Sequence, residues 1–261
     1  MNAENLTNYI VNQNIEGLDY QVLSYDQLKA AGLNGIISIN QGSNKPPKML
    51  VIRYGDSQKN PIVMIGKGVI FDSGGINIKP GEFVDMKADK TGAIYVWGLI
   101  KAMAINRVAG HYIAILPIVE NMPGSNAVHP GDIYSTCNGK TVEITNTDAE
   151  GRVILADAMC WMTKNIKSPK LVVDIATLTG MAAAFFGSMG TAAMANKLGK
   201  PFLSKLVEIG DERNEFYWQV PLHRVFRPKL ESNVADLKNF TPDANAGTIM
   251  AGMFLKEFIP D

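Results

Sequence analysis

Apolar residues in this chain fall into short compact blocks separated by longer stretches in which they recur at helical spacing. The blocks Met49–Arg53, Pro61–Ile65, Tyr112–Pro117 and Leu171–Ala176 are rich in β-branched residues and read as strands. Their apolar positions do not alternate cleanly with polar ones, which predicts a sheet covered on both faces. Between and after them, about Met86–Ile105, Arg152–Lys164, Phe202–Glu212 and Ile249–Phe258 read as helices. Alternation of this kind predicts an α/β fold, a three-layer α/β/α arrangement around a mixed, mostly parallel central sheet. Residues 1–48 are more polar and end in Gly42-Ser43-Asn44-Lys45-Pro46-Pro47, so they read as a lead-in helix and strand followed by a loop. No Pro/Gly/Ser-rich linker interrupts 49–261, which is read as one domain.

Composition narrows the partners. With 46% hydrophobic and 19% charged residues, the 261-residue chain can bury a sizeable core. Its 25 Lys and Arg balance 25 Asp and Glu, so it offers no electrostatic footprint for nucleic acid or for an anionic membrane. The longest apolar runs, such as Ala109–Val119, fall short of the roughly 20 residues of a membrane span. The opening Met-Asn-Ala-Glu-Asn-Leu-Thr-Asn has neither a basic nor an apolar region of a secretory signal, and a cytoplasmic location is expected. Cys137 and Cys160 are accordingly read as two reduced thiols.

Two segments carry candidate chemistry. The first is Gly66-Lys67-Gly68, then Asp72-Ser73-Gly74-Gly75, Lys79, and Met86-Lys87-Ala88-Asp89. Charged residues directly after a buried strand lie at the carboxyl edge of the sheet, where open α/β folds place ligands. Asp89 is expected in the first turn of the following helix, where a carboxylate suits either a cation or a simple cap. The second is Asn146-Thr147-Asp148-Ala149-Glu150-Gly151-Arg152, in which an extended backbone would turn Asp148 and Glu150 to one side. Two adjacent anions call for a compensating charge, either Arg152 or a metal. Taken together, Asp72, Asp89, Asp148 and Glu150 form an oxygen-rich set suited to two divalent cations. His111, His129 and His223 are scattered and form no HExxH pattern, and serine-hydrolase and P-loop motifs are absent from the sequence.

These two segments resemble the leucine (cytosol) aminopeptidase family of dinuclear metallopeptidases, with Asn146–Arg152 as the most specific stretch. Glu120-Asn121-Met122-Pro123, Pro130-Gly131-Asp132, Asp174–Gly180 and Ser232–Asp236 are similar as well. The resemblance implies that Lys67, Asp72, Asp89 and Glu150 hold one metal and that Asp72, Asp148 and Glu150 hold the other. It implies Zn²⁺ or Mn²⁺, with Mg²⁺ or Co²⁺ compatible. Lys79 and Arg152 are implied as catalytic, Lys79 polarising the substrate carbonyl and Arg152 holding a bicarbonate that shuttles protons. Met86, Thr177, Leu178 and Gly180 are implied to contact a small peptide substrate with a Leu-like first residue. A hexamer is the implied assembly. A salt bridge from Lys67 to Asp72 would look the same in sequence, and only the resemblance favours ligation.

Some positions depart from the family pattern: Lys90 replaces an apolar residue, Gly124-Ser125 inverts the usual order, and Met250 stands where Thr is common. No counterpart of the family's N-terminal domain or of its C-terminal Trp-x-His-x-Asp segment is read in these residues. The alternative to a peptidase is therefore a catalytically impaired fragment that acts as a binding or assembly module. A two-metal phosphoesterase is a third reading, but it gives Lys67 no role.

Overall fold

The computed structural model describes residues 1–242 and 245–260; Asp261, the last residue of the expected domain, lies outside the described residues. The chain begins with α1 (Ala3–Val11), β1 (Leu18–Leu23), α2 (Tyr25–Ala30) and α3 (Asn34–Asn40). Strands β2 (Lys48–Gly55), β3 (Ile62–Gly66) and β4 (Gly68–Asp72) follow, then α4 (Thr91–Ile105) and β5 (His111–Asn121). A hairpin of β6 (Ile133–Ser135) and β7 (Thr141–Glu143) precedes α5 (Glu150–Asn165) and β8 (Leu171–Ile175). The remainder comprises α6 (Gly180–Phe186), β9 (Gly190–Ala193), α7 (Lys200–Arg213), β10 (Phe216–Gln219), β11 (Leu237–Lys238) and α8 (Gly247–Lys256).

The central sheet runs in the order β1-β2-β5-β3-β8, with β4 also paired to β5. β1 and β2 are antiparallel to their neighbours, whereas β3, β4, β5 and β8 run parallel, so the sheet is mixed as expected. The strands lack visible alternation because both faces are apolar and buried against different helices. Val51, Val63, Ile65, Ile113 and Ile115 face a core shared with Leu28 of α2, Ile36 and Ile39 of α3, Ile154 and Leu155 of α5, and Phe254 of α8. Their neighbours Leu50, Ile52, Met64, Ala114 and Leu116 face the opposite core, with Leu6 and Ile10 of α1 and Val96, Trp97 and Ile100 of α4. Two apolar layers back to back erase the period of 2 from the sequence while preserving it in space.

Residues 1–48 contribute more than a helix and a strand. α2 starts with a capping box, Ser24 and Gln27 bonding each other's backbone N–H. α3 has no side-chain cap of its own; instead Asp157, from α5, accepts the Ile36 N–H at 2.8 Å.

Two readings are corrected. The helix expected over Met86–Ile105 is a 3-10 turn, Val84–Ala88, followed by α4 from Thr91, with Asp89 ending the turn rather than opening the helix. The break arises because the Asp89 N–H closes the turn onto the Met86 carbonyl while the Ala93 N–H is taken by the Lys67 carbonyl at 2.8 Å. The cysteines are not two reduced thiols. Cys137, in the β6–β7 turn, and Cys160, buried in α5, lie with Cα atoms 6.1 Å apart and form a disulfide. Their separation of 23 residues concealed a contact that the packing of the hairpin on α5 creates.

Candidate metal centre

The carboxyl ends of β3, β4, β5 and β8 meet the start of α5 at one edge of the sheet. Lys67 is the single residue between β3 and β4. Its N–H donates to the Ile175 carbonyl of β8 at 3.0 Å, and its carbonyl accepts from Ala93 of α4, so its backbone is fastened on both sides. The fit leaves no room for side chains: a Cβ at Gly92 would lie 2.1 Å from the Ile175 oxygen and 2.9 Å from the Lys67 nitrogen.

That anchoring sends the Lys67 side chain into the protein, where its Nζ lies 2.7 Å from Asp89 Oδ1 and 2.8 Å from Glu150 Oε1 and donates to the Thr177 carbonyl at 2.9 Å. Burial alone would lower the pKa of this ammonium, but Glu150 and Asp89 outweigh it and hold the group above its ordinary value. Asp89 Oδ1 also accepts from the Thr177 hydroxyl at 2.6 Å, while Asp89 Oδ2 is buried with no hydrogen-bond partner among the described residues. Burial raises the carboxyl pKa of Asp89 and of Glu150, with Lys67 opposing the rise in each.

A second lysine repeats the motif. Lys79 sits in the loop after β4, which turns through Gly74 and Gly75 at φ +91° and +67°, values that residues with a Cβ resist. Its Nζ bridges Asp72 Oδ2 at 2.7 Å and Asp148 Oδ1 at 2.5 Å. This half is more open: the Lys79 and Asp148 side chains are 20% and 31% exposed, against 3% for Lys67 and Asp72. Burial raises the Asp148 carboxyl pKa, opposed by the bond from Lys79.

Carboxylate oxygens of Asp72, Asp89 and Glu150 lie within 4.8 Å of one another. Among the described residues two ammoniums face four carboxylates, so these six groups when ionised carry two negative charges that the lysines do not offset. Leaving a buried carboxylate oxygen unpaired costs about 1–3 kcal/mol, and an uncompensated buried charge more. The donor set therefore fits divalent cations, whose charge would satisfy both demands.

Arg152, in the first turn of α5, is buried, donates Nη1 to the Asn239 carbonyl at 2.9 Å and has no partner for Nε among the described residues. Burial lowers its pKa to about 10, with Glu150 acting against the shift. Met86 is half-buried on the turn that ends at Asp89. Thr177 touches both Lys67 and Asp89, whereas the Leu178 side chain packs on the main core. Gly180 begins α6 behind the Thr179 cap.

Three polar residues to which the sequence analysis gave no role hold the cluster in place. Asn121 bonds Asp72 and the Thr147 carbonyl. Thr147 bonds the Gly74 carbonyl and exchanges bonds with Asn77. Asn239 takes the N–H groups of Thr145 and Asn146 and donates to the Asn146 and Ala149 carbonyls. Asn121 and Thr147 lie inside the stretches that carry the resemblance, but Asn239 follows the last of them and had no local signal.

The fold and site define a class: an α/β domain that gathers carboxylates suited to holding a cation at the carboxyl edge of its sheet. The sequence profile of the cytosol aminopeptidase family, catalytic domain, matches residues 1–261, and the chain belongs to that family. Proteins named "Probable cytosol aminopeptidase" from Syntrophotalea carbinolica and from Phytoplasma australiense are 41% and 39% identical to it over 248 residues. Each alignment covers 94% of this chain but 49% and 50% of those proteins, so the chain spans about half the length of these relatives. A solved structure of the bottromycin maturation enzyme BotP in complex with Mn superposes with a TM-score of 0.92 at 33% identity, over 99% of this chain and 57% of that one. Among the described residues no helix is long and apolar enough to cross a membrane.

Proposed function

We propose that this chain carries the centre of a metal-dependent aminopeptidase that hydrolyses the N-terminal peptide bond of small peptides, Leu-like first residues preferred. The observation that carries this reading is the surplus of buried carboxylates over ammoniums, with an Asp89 oxygen left unbonded. Membership of the cytosol aminopeptidase family and the likeness to a Mn-bound enzyme support it.

Lys67, Asp72, Asp89 and Glu150 would hold one divalent ion and Asp72, Asp148 and Glu150 a second, Zn²⁺ or Mn²⁺ in the first place and Mg²⁺ or Co²⁺ compatible with the same donors. Bound there, such ions would supply Lewis acidity and an ionised water at neutral pH. Lys67 donates to a metal only as the free amine, so loading the site requires its proton to leave. Lys79, at the open half, would place its ammonium where negative charge grows on the carbonyl oxygen, an effect that contributes a few kcal/mol in a water-poor site. The unpartnered Nε of Arg152 would hold a small anion such as bicarbonate beside Glu150, in position to pass a proton. Met86, Thr177, Leu178 and Gly180 would border the substrate, Leu178 through its backbone. By the same resemblance the protein would work as a homo-oligomer, a hexamer, in the cytoplasm.

The test is release of leucine from a leucyl amide with Mn²⁺ or Zn²⁺ added and then chelated, comparing the chain with Glu150→Ala. Metal-dependent turnover that the substitution abolishes is expected. Turnover unaffected by both chelation and the substitution would sink the reading, and metal binding without turnover would favour the binding-module alternative.

A further inference from the structure

Strand β5 ends at Asn121, where it lies opposite Asp72 of β4. Every polar part of this residue that the structure partners is turned toward the site. Its carbonyl accepts from the N–H and the hydroxyl of Ser73, at 3.0 and 2.7 Å. Its carboxamide nitrogen, in a side chain almost fully buried, donates to Asp72 Oδ1 at 2.7 Å and to the Thr147 carbonyl at 3.0 Å. Asp72 Oδ1 also accepts the Gly74 N–H at 3.0 Å, so two N–H groups occupy it and Oδ2 is the oxygen left to face a cation, here the Lys79 ammonium.

We propose that Asn121 is a positioning residue for divalent-cation binding: its two N–H donors pin Asp72 to the segment carrying Asp148 and Glu150, so that Asp72 presents Oδ2 alone. The inference rests on the metal-centre reading above. Only a primary amide supplies two in-plane donors from one nitrogen at this reach; a carboxylate of the same shape supplies none, and an aliphatic side chain removes the bond to the Thr147 carbonyl and leaves Asp72 Oδ1 with the Gly74 N–H alone. The contact also joins two stretches far apart in sequence, since Thr147 is 26 residues from Asn121 and Asp72 is 49. Donor groups that orient the ligands of a metal commonly change its affinity by about 10–100-fold when removed.

The experiment is a Mn²⁺ titration of the metal-free chain, free Mn²⁺ being read by its paramagnetic resonance signal, with thermal unfolding of the metal-free forms recorded in parallel. Asn121→Ala and the volume-keeping Asn121→Leu are expected to bind Mn²⁺ about 10–100-fold more weakly than the wild type while unfolding cooperatively. Asn40→Ala is the control. Asn40 is also a buried amide, accepting the Glu120 N–H at 2.9 Å and donating to the Lys45 carbonyl at 2.7 Å, so its loss should lower stability and leave Mn²⁺ affinity unchanged. Folded Asn121 variants that bind Mn²⁺ as tightly as the wild type would overturn the proposal. Failure of both variants to fold would overturn it too, making Asn121 a residue of folding. A wild type that binds no Mn²⁺ would instead remove the metal centre itself, an outcome distinct from the first.

Discussion

Asp157 shows how a single buried carboxylate can serve structure at a cost set by pH. It is fully buried on α5, where Oδ2 caps α3 through the Ile36 N–H and Oδ1 has no hydrogen-bond partner among the described residues. Burial pushes its pKa up to about 7, with the bonds from Ile36 and Gly35 pulling the other way. A folded-state pKa above the unfolded value of about 3.9 means that the fold binds the proton more tightly. Stability from this group is therefore full below about pH 3.9, is lost as pH rises toward about 7, and stays lost above it. A carboxamide in its place would keep the acceptor for Ile36 without a charge. Asp157→Asn is thus expected to be more stable than the wild type at pH 8, by up to a few kcal/mol, with the advantage shrinking toward pH 5. Urea unfolding at the two pH values checks this, and an advantage that does not change with pH would contradict it. At this scale the sequence was legible where charge stood out against an apolar strand: Lys67, Asp72, Asp89, Asp148 and Glu150 were all singled out, and four carboxylates do converge on two lysines. It was silent on Asn121, Thr147 and Asn239, because a neutral amide or hydroxyl has no pattern of its own and acquires a role only from what the fold places within hydrogen-bonding reach.

Among the elements, the strands and the later helices were readable and the approach to α4 was not. β2, β3, β5 and β8 lie within a few residues of the apolar blocks, and α5, α7 and α8 extend the expected helices by a residue or two at their starts. The expected helix from Met86 failed because apolar spacing does not register a competing acceptor, and the Lys67 carbonyl captured the Ala93 N–H. Gly92 is what lets α4 come that close. Gly92→Val should therefore push α4 away from the Ile175 carbonyl and Lys67, with an overpacking cost of about 1–3 kcal/mol or more. Losing the bond from Ala93 frees the Lys67 backbone to move, so Mn²⁺ affinity should fall along with thermal stability. Loss of stability with unchanged affinity would mean that β8 alone suffices to hold Lys67 in place.

For the molecule as a whole, the disulfide determines how the site segment behaves when the chain unfolds. Cys137 and Cys160, 23 positions apart, enclose Asn146–Arg152, so the cross-link closes a loop around the stretch carrying Asp148 and Glu150. Closing a loop of that size restricts the unfolded chain and contributes on the order of 3 kcal/mol. In the folded state the same stretch is already fastened by Asn239, Thr147 and Asn121. Reduction should therefore act mainly on the unfolded state: Cys137→Ser with Cys160→Ser, or the wild type in a strong reductant, should unfold at a lower urea midpoint by roughly that energy. Mn²⁺ affinity at low urea should stay the same. If affinity fell with reduction while the fold persisted, the disulfide would be holding the ligands themselves, and the hydrogen-bond network would be insufficient to keep Asp148 and Glu150 in place.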